Sequence, residues 1–309
     1  MTLNKLSLSL LVVLGAGCTT VPPVPLSADL PDCFNSNYDK ERRLFTIRNA
    51  TAETVNQQCR LTVSSSGGVA SDSRIPAGRY TAYLSNGGGG GGGGTLQNST
   101  GGGGGGGGAG AKDTQVTVNL PAGDYRLTIG LGGPGGTACG AGFGGGPGWT
   151  GSPSNVVRMA SGEVIVGAPG AEIYARPSRA QNERSSGKQD GHGGSGPGQT
   201  TGGQGGSDPA GSAVVAATAG ESRLASGRVA AGGAAGKDPL DRNIAGEGGG
   251  GGASRQGAGG TGGGENLAGQ EAPPTRGALG SGGGGGEGTV SDCNPGGRGG
   301  HGYIAFRMN

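Results

Sequence analysis

The sequence predicts an all-β, irregular fold with almost no helix beyond its leader. Three observations carry that expectation. Short runs of strict alternation recur, as in Arg60-Leu61-Thr62-Val63-Ser64 and Gln115-Val116-Thr117-Val118-Asn119. Such alternation marks strands with one buried face. Glycine supplies 80 of the 309 residues, against a usual share of about 7%, and glycine destabilises helix interiors. Hydrophobic residues make up only 31% and aromatics 4%, so a conventional core cannot span the chain. The glycine-rich part is therefore either disordered or packed by a different rule.

The first element is a leader. Lys5 is followed by an apolar stretch from Leu6 to Leu14, then Gly15, Ala16, Gly17 and Cys18. Charged, apolar and small residues in that order read as a secretory signal over 1–17. The apolar run is shorter than the roughly 20 residues a spanning helix needs. Leu14-Gly15-Ala16-Gly17-Cys18 resembles a bacterial lipobox, although its large aliphatic residue sits one position farther from the cysteine than usual. The resemblance implies acylation (palmitate among the chains) of Cys18 and cleavage before it. A plain secretory signal with a chance cysteine is the alternative. Acyl chains contribute about 0.8 kcal/mol per buried methylene. Thr19, by the same resemblance, implies sorting to the outer membrane. Residues 18–31, with prolines at 22, 23, 25 and 31, read as an extended tether.

Residues 32–86 read as a small β module. Strands are expected at Leu44–Arg48, Arg60–Ser64 and Arg79–Leu84, with a turn near Asp39–Arg43 and another at Pro76-Ala77-Gly78. Two polyglycine runs, 87–94 and 101–108, lie in an apparent linker at 87–111. The pattern Ile75-Pro-Ala-Gly-Arg-Tyr80 then returns as Leu120-Pro-Ala-Gly-Asp-Tyr125. This second copy predicts a β-hairpin over 114–131. Further strands are expected at 156–159, 163–166, 212–217 and 303–307.

Cys18 aside, four cysteines remain: Cys33, Cys59, Cys139 and Cys293. An even count in an exported chain predicts two disulfides, with three pairings open. Cys33–Cys59 is favoured because both lie in the compositionally ordinary N-terminal segment. Cys139–Cys293 would then close most of the glycine-rich region. In the chain-entropy model a loop that long contributes on the order of 5 kcal/mol.

From about residue 112 to 309 the sequence resembles glycine-rich domains of phage tail-fibre adhesins, bacterial surface proteins and animal receptor-kinase ectodomains. The residues that carry the resemblance are Thr128-Ile-Gly-Leu-Gly-Gly-Pro-Gly-Gly136, Gly142-Phe-Gly-Gly-Gly-Pro-Gly-Trp149, Gly162-Glu-Val-Ile-Val166 and Gly299-Gly-His-Gly-Tyr-Ile-Ala-Phe306. It implies a bundle of polyproline-II helices, three residues per turn without internal hydrogen bonds, stapled to a small β layer. Bare glycine backbones can approach closely, and their N–H and C=O groups bond between helices. Collagen is excluded because the glycines keep no strict period of three. The stretch 172–189 reads as an inserted loop.

No catalytic constellation is legible. Gly187-Lys188 and Gly236-Lys237 lack the serine or threonine and the helix of a P-loop. His192 beside Asp190 has no nucleophile in a readable context. The aspartates are too irregularly spaced for a repetitive calcium site, and without CxxC no metal set emerges. The net charge of +2, with both signs scattered, gives no nucleic-acid footprint. Trp149, Phe143 and Tyr174 are rare apolar groups in a glycine field. Trp149 either anchors a ligand or, the favoured reading, plugs the seam between bundle and β layer. The chain thus reads as a non-enzymatic, cofactor-free lipoprotein of the cell envelope. Its partners would be the membrane, through Cys18, and an envelope or surface protein or a glycan. Its task would be recognition, adhesion or assembly. The rival is a passive spacer with a disordered glycine tail; a hydrolase is a weak third.

Overall fold

The structure is a computed structural model describing residues 30–33, 36–48, 57–65, 74–94, 104–111, 113–137, 146, 148–167, 200–204, 217–225, 228–230, 249–254, 258–265, 271–272, 275–286 and 294–309. Strands dominate the N-terminal half: β1 (Ser36–Asp39), β2 (Leu44–Arg48), β3 (Gln57–Ser64), β4 (Arg74–Pro76), β5 (Gly78–Ser85), β6 (Asp113–Leu120), β7 (Gly123–Ile129), β8 (Asn155–Arg158) and β9 (Val164–Val166). β10 (Arg223–Ala225) pairs with β11 (Arg228–Ala230), and β12 (Gly264–Glu265) with β13 (Glu271–Ala272). The C-terminal strand is β14 (Tyr303–Met308).

Two five-stranded sheets form, ordered β1-β2-β14-β5-β6 and β4-β3-β7-β8-β9. Alternation sets their inner faces. Tyr80, Ala82 and Leu84 of β5, Phe306 and Ile304 of β14, Leu61 and Val63 of β3, and Tyr125, Leu127 and Ile129 of β7 meet in one buried cluster. Each strand thus contributes every second side chain to a shared core. The Cys33–Cys59 disulfide forms, with Cα atoms 4.9 Å apart, and joins that core. The expected turn after Asp39 is present. Asp39 Oδ1 accepts from the N–H groups of Glu41 and Arg42, and Arg43 takes a left-handed φ of 51°.

Pairing corrects three expectations. Segment 32–86 does not form sheets of its own, because β3 lies between β4 and β7, and β5 between β14 and β6. The 114–131 region is not a hairpin, because β6 and β7 belong to different sheets. The chain turns a corner there, and its partners on either side are β5 and β3. Residues 87–111 are not a simple linker, since their described parts are packed on several sides. The expected strand at 212–217 lies outside the described residues except for Ala217, which is in no strand.

The glycine segments pack with a period of three. Every N–H from Gly87 to Gly94 is donated to another segment. Gly87, Gly90 and Gly93 donate to Ser152, Trp149 and Gly146; Gly88, Gly91 and Gly94 to Gly300, Gly297 and Asn294; Gly89 and Gly92 to Ala109 and Gly106. Successive residues therefore address three neighbours in rotation, as a helix of three residues per turn requires. Carbonyls of the same segment accept from Gly133 and Gly136 and from Gly283 and Gly286. The 87–94 helix thus has five described neighbours: 104–111, 131–137, 146 with 148–152, 280–286 and 294–300. A Cβ added to Gly91 would overlap the Gly284 carbonyl, and one on Gly88 the Ser281 carbonyl. Polyglycine is the sequence of a helix surrounded on its sides by other backbones.

Candidate functional site

The bundle is a direct prolongation of the strands. β5 runs into 87–94 and β7 into 131–137, while 104–111 leads into β6, 146–152 into β8 and 294–300 into β14. At these joints the pairing changes from a sheet ladder to every third residue, so backbone groups at the switch would lose partners. Side chains fill the gap. Ser154 Oγ accepts from the Gly130 N–H (2.9 Å) and its hydroxyl donates to Ser85 O (2.8 Å). Asn86 Oδ1 accepts from the Ser154 N–H (2.8 Å). His301 Nδ1 accepts from the Gly132 N–H at 3.0 Å. Ser85, Asn86, Ser154 and His301 are all buried. Burial, reinforced by Arg276 and Arg298, lowers the His301 pKa to about 4, so the ring is neutral near pH 7 and its accepting nitrogen stays available. In the sequence His301 stands between glycines, just before the closing strand. The usable signal was a polar residue within two positions of a strand end, a position shared by Asn86 and Ser154.

Outer helices carry side chains where inner ones cannot. In 131–137 an added Cβ at Gly132 or Gly135 would strike the 294–300 backbone, and at Gly133 or Gly136 the 146–152 backbone. Only the third class, Leu131, Pro134 and Thr137, is free to hold side chains, and Pro134 and Thr137 are exposed. Lateral N–H groups of outer helices are capped by side chains. Thr218 Oγ1 accepts from Gln204 N–H, Thr275 Oγ1 from Thr261 N–H, and a Glu221 carboxylate oxygen from Thr201 N–H, each at 2.8 Å.

On this outer layer stands Trp149, 65% exposed. It does not plug the seam, which is filled by serine, asparagine and histidine. Its backbone is held on both sides: the Trp149 N–H donates to Pro134 O and its carbonyl accepts from Gly90 N–H, each at 2.9 Å. The same register sets Gly146 against Thr137 and Ser152 against Leu131. A Cβ at Gly146 would point at the Thr137 side chain, so Trp149, one turn along, emerges on the side of Pro134. A large aromatic is thereby presented to solvent from a fixed backbone. Phe143, Tyr174, Cys18, Cys139 and Cys293 lie outside the described residues. Among the described residues no group of three or more His, Cys, Asp or Glu is placed to hold a metal ion.

A family model described as a glycine-rich domain matches residues 64–309. The chain belongs to the glycine-rich domain family. No curated protein matches the chain. The glycine-rich domain begins well before the expected boundary at 112, and the pairing explains why. Residues 74–85 supply β4 and β5, and 87–94 supplies a helix enclosed by five others.

Proposed function

We propose that this glycine-rich domain protein is a non-enzymatic lipoprotein of the cell envelope whose bundle serves as a rigid recognition platform, in adhesion or envelope assembly. The observation that carries the reading is Trp149. A tryptophan left largely in water costs burial energy, and here it projects from a backbone clamped between neighbouring helices. Aromatic groups on rigid scaffolds bind with little ordering cost. The ligand class is an envelope or surface protein or a glycan. Lipidation at Cys18 and outer-membrane placement belong to the same proposal and rest on the lipobox-like segment. The passive-spacer reading expected a disordered tail, whereas the described glycine segments form a hydrogen-bonded lattice.

The test compares the mature chain with Trp149→Ala for binding to an immobilised envelope-protein extract and to a glycan panel. The variant should lose at least tenfold in binding while its melting transition stays within a degree or two, because a surface side chain contributes little to stability. Equal binding by both proteins would sink the Trp149 platform. Intact-mass measurement of the membrane-extracted protein, beside Cys18→Ser, decides the lipid anchor independently.

A further inference from the structure

The end of the first sheet farthest from the bundle is basic. The β1–β2 turn carries Lys40, Arg42 and Arg43, all exposed. Arg43 O accepts from the Met308 N–H at the end of β14, and Arg79 O accepts from the Asn309 N–H at the start of β5. Arg307, one residue earlier, pairs with Leu44 and Thr81, and its guanidinium lies 5.8 Å from the centre of the Tyr83 ring. Neighbouring strands are about 4.8 Å apart, so these backbones gather within a rim roughly 15 Å wide. The acidic side chains on the same rim are Asp39 and Glu41. Asp39 is engaged with the turn amides and stands 3.7 Å from the Arg42 guanidinium. Five basic side chains against two acidic ones leave this rim positive.

We infer that the rim formed by Lys40, Arg42, Arg43, Arg79 and Arg307 rests on the anionic headgroup surface of the membrane that holds the protein. The inference rests on the lipid anchorage proposed above. It adds an orientation. β5 starts at the rim and ends at the bundle, so a rim on the membrane points the bundle and Trp149 away from it. Tether length alone does not decide this. Residues 19–29, if extended at about 3.1 Å each, reach about 34 Å, beyond the length of an eight-residue strand of about 27 Å. An anchor could then lie at either end of the sheets. Charge breaks the tie, because each basic residue near an anionic leaflet favours contact, within about a Debye length.

The experiment uses the chain from Thr19, which keeps every described element and carries no lipid. Its sedimentation with phosphatidylcholine vesicles is compared with that on vesicles containing phosphatidylglycerol. Binding to the anionic vesicles should be at least tenfold stronger and should disappear in high salt. The triple variant Arg42→Glu, Arg43→Glu, Arg79→Glu should lose that preference. Arg276→Glu with Arg298→Glu, on the bundle, should keep it. Equal binding to both vesicles, or loss only in the bundle variant, overturns the inference. Because the lipid is absent, the outcome is independent of whether Cys18 is acylated.

Discussion

At the scale of single residues, two kinds of position decide this molecule: glycines that admit no Cβ, and polar groups at the seam. Gly91 is the clearest of the first kind, since an alanine methyl there would overlap the Gly284 backbone carbonyl. Overpacking typically costs about 1–3 kcal/mol when side chains can yield, and a backbone inside a lattice has little room. Gly91→Ala should therefore destabilise by about 3 kcal/mol or more in a denaturant titration, while Thr137→Ala on the outer face stays within about 0.5 kcal/mol. His301 represents the second kind. The unfolded imidazole takes up its proton near pH 6.5, but the folded ring resists until about pH 4. Between those values the unfolded state binds more protons, so stability falls as pH drops from 6.5 to 4 and this group adds no further loss below. The loss should be on the order of 3 kcal/mol, read as a fall in melting temperature that flattens in His301→Gln. Composition announced the glycines, but which of them tolerate a side chain depends on neighbours as remote in sequence as Gly88 is from Gly299.

Among the elements, the repeated Pro-Ala-Gly pattern shows what sequence can and cannot convey. Both copies were visible as turns flanked by alternation, and both are turns. The structure makes them corners between sheets: β4 to β5 at Pro76–Gly78, and β6 to β7 at Pro121–Gly123. In each, the tyrosine hydroxyl donates to the carbonyl of the proline four residues earlier, Tyr80 to Pro76 at 2.6 Å and Tyr125 to Pro121 at 2.8 Å. The bond resembles the tyrosine corners of other sandwiches. Burial raises the Tyr80 pKa to about 12, which keeps the phenol a donor throughout the ordinary pH range. Gly123, with φ of 145°, gives the second corner a backbone that side chains rarely adopt. A hairpin and a corner share the same local residues and differ in which strands receive the outgoing chain, information carried by β3 and β14 rather than by the turn. Tyr80→Phe should cost about 1 kcal/mol by removing the bond to a part-buried carbonyl, a shift in midpoint without change of slope. No shift would mean that the corner is held by its apolar contacts alone.

For the whole molecule, the question is whether bundle and sheets unfold together. Five strands pass into five glycine helices, and the helices hydrogen-bond to one another rather than within themselves. Neither part can lose its order without releasing partners of the other, and among the described residues a single apolar cluster sustains both sheets. Such a network predicts a single calorimetric transition for the chain from Thr19, with a van't Hoff enthalpy matching the measured one. Reductant tests the covalent part. Opening Cys33–Cys59, which closes a loop of 26 residues, should remove about 3 kcal/mol in the chain-entropy model. A second link, Cys139–Cys293, is proposed from the sequence. It is supported by its described flanks: the Gly296 N–H donates to Gly136 O at 2.9 Å, and Gly299 to Gly133, so helices 131–137 and 294–300 run antiparallel side by side. If both links form, Cys33→Ser with Cys59→Ser should leave a transition still lowered by reductant. A double variant that no longer responds to reductant would remove the second disulfide. Two separate transitions would show sheets and bundle to be independent units despite their shared chains.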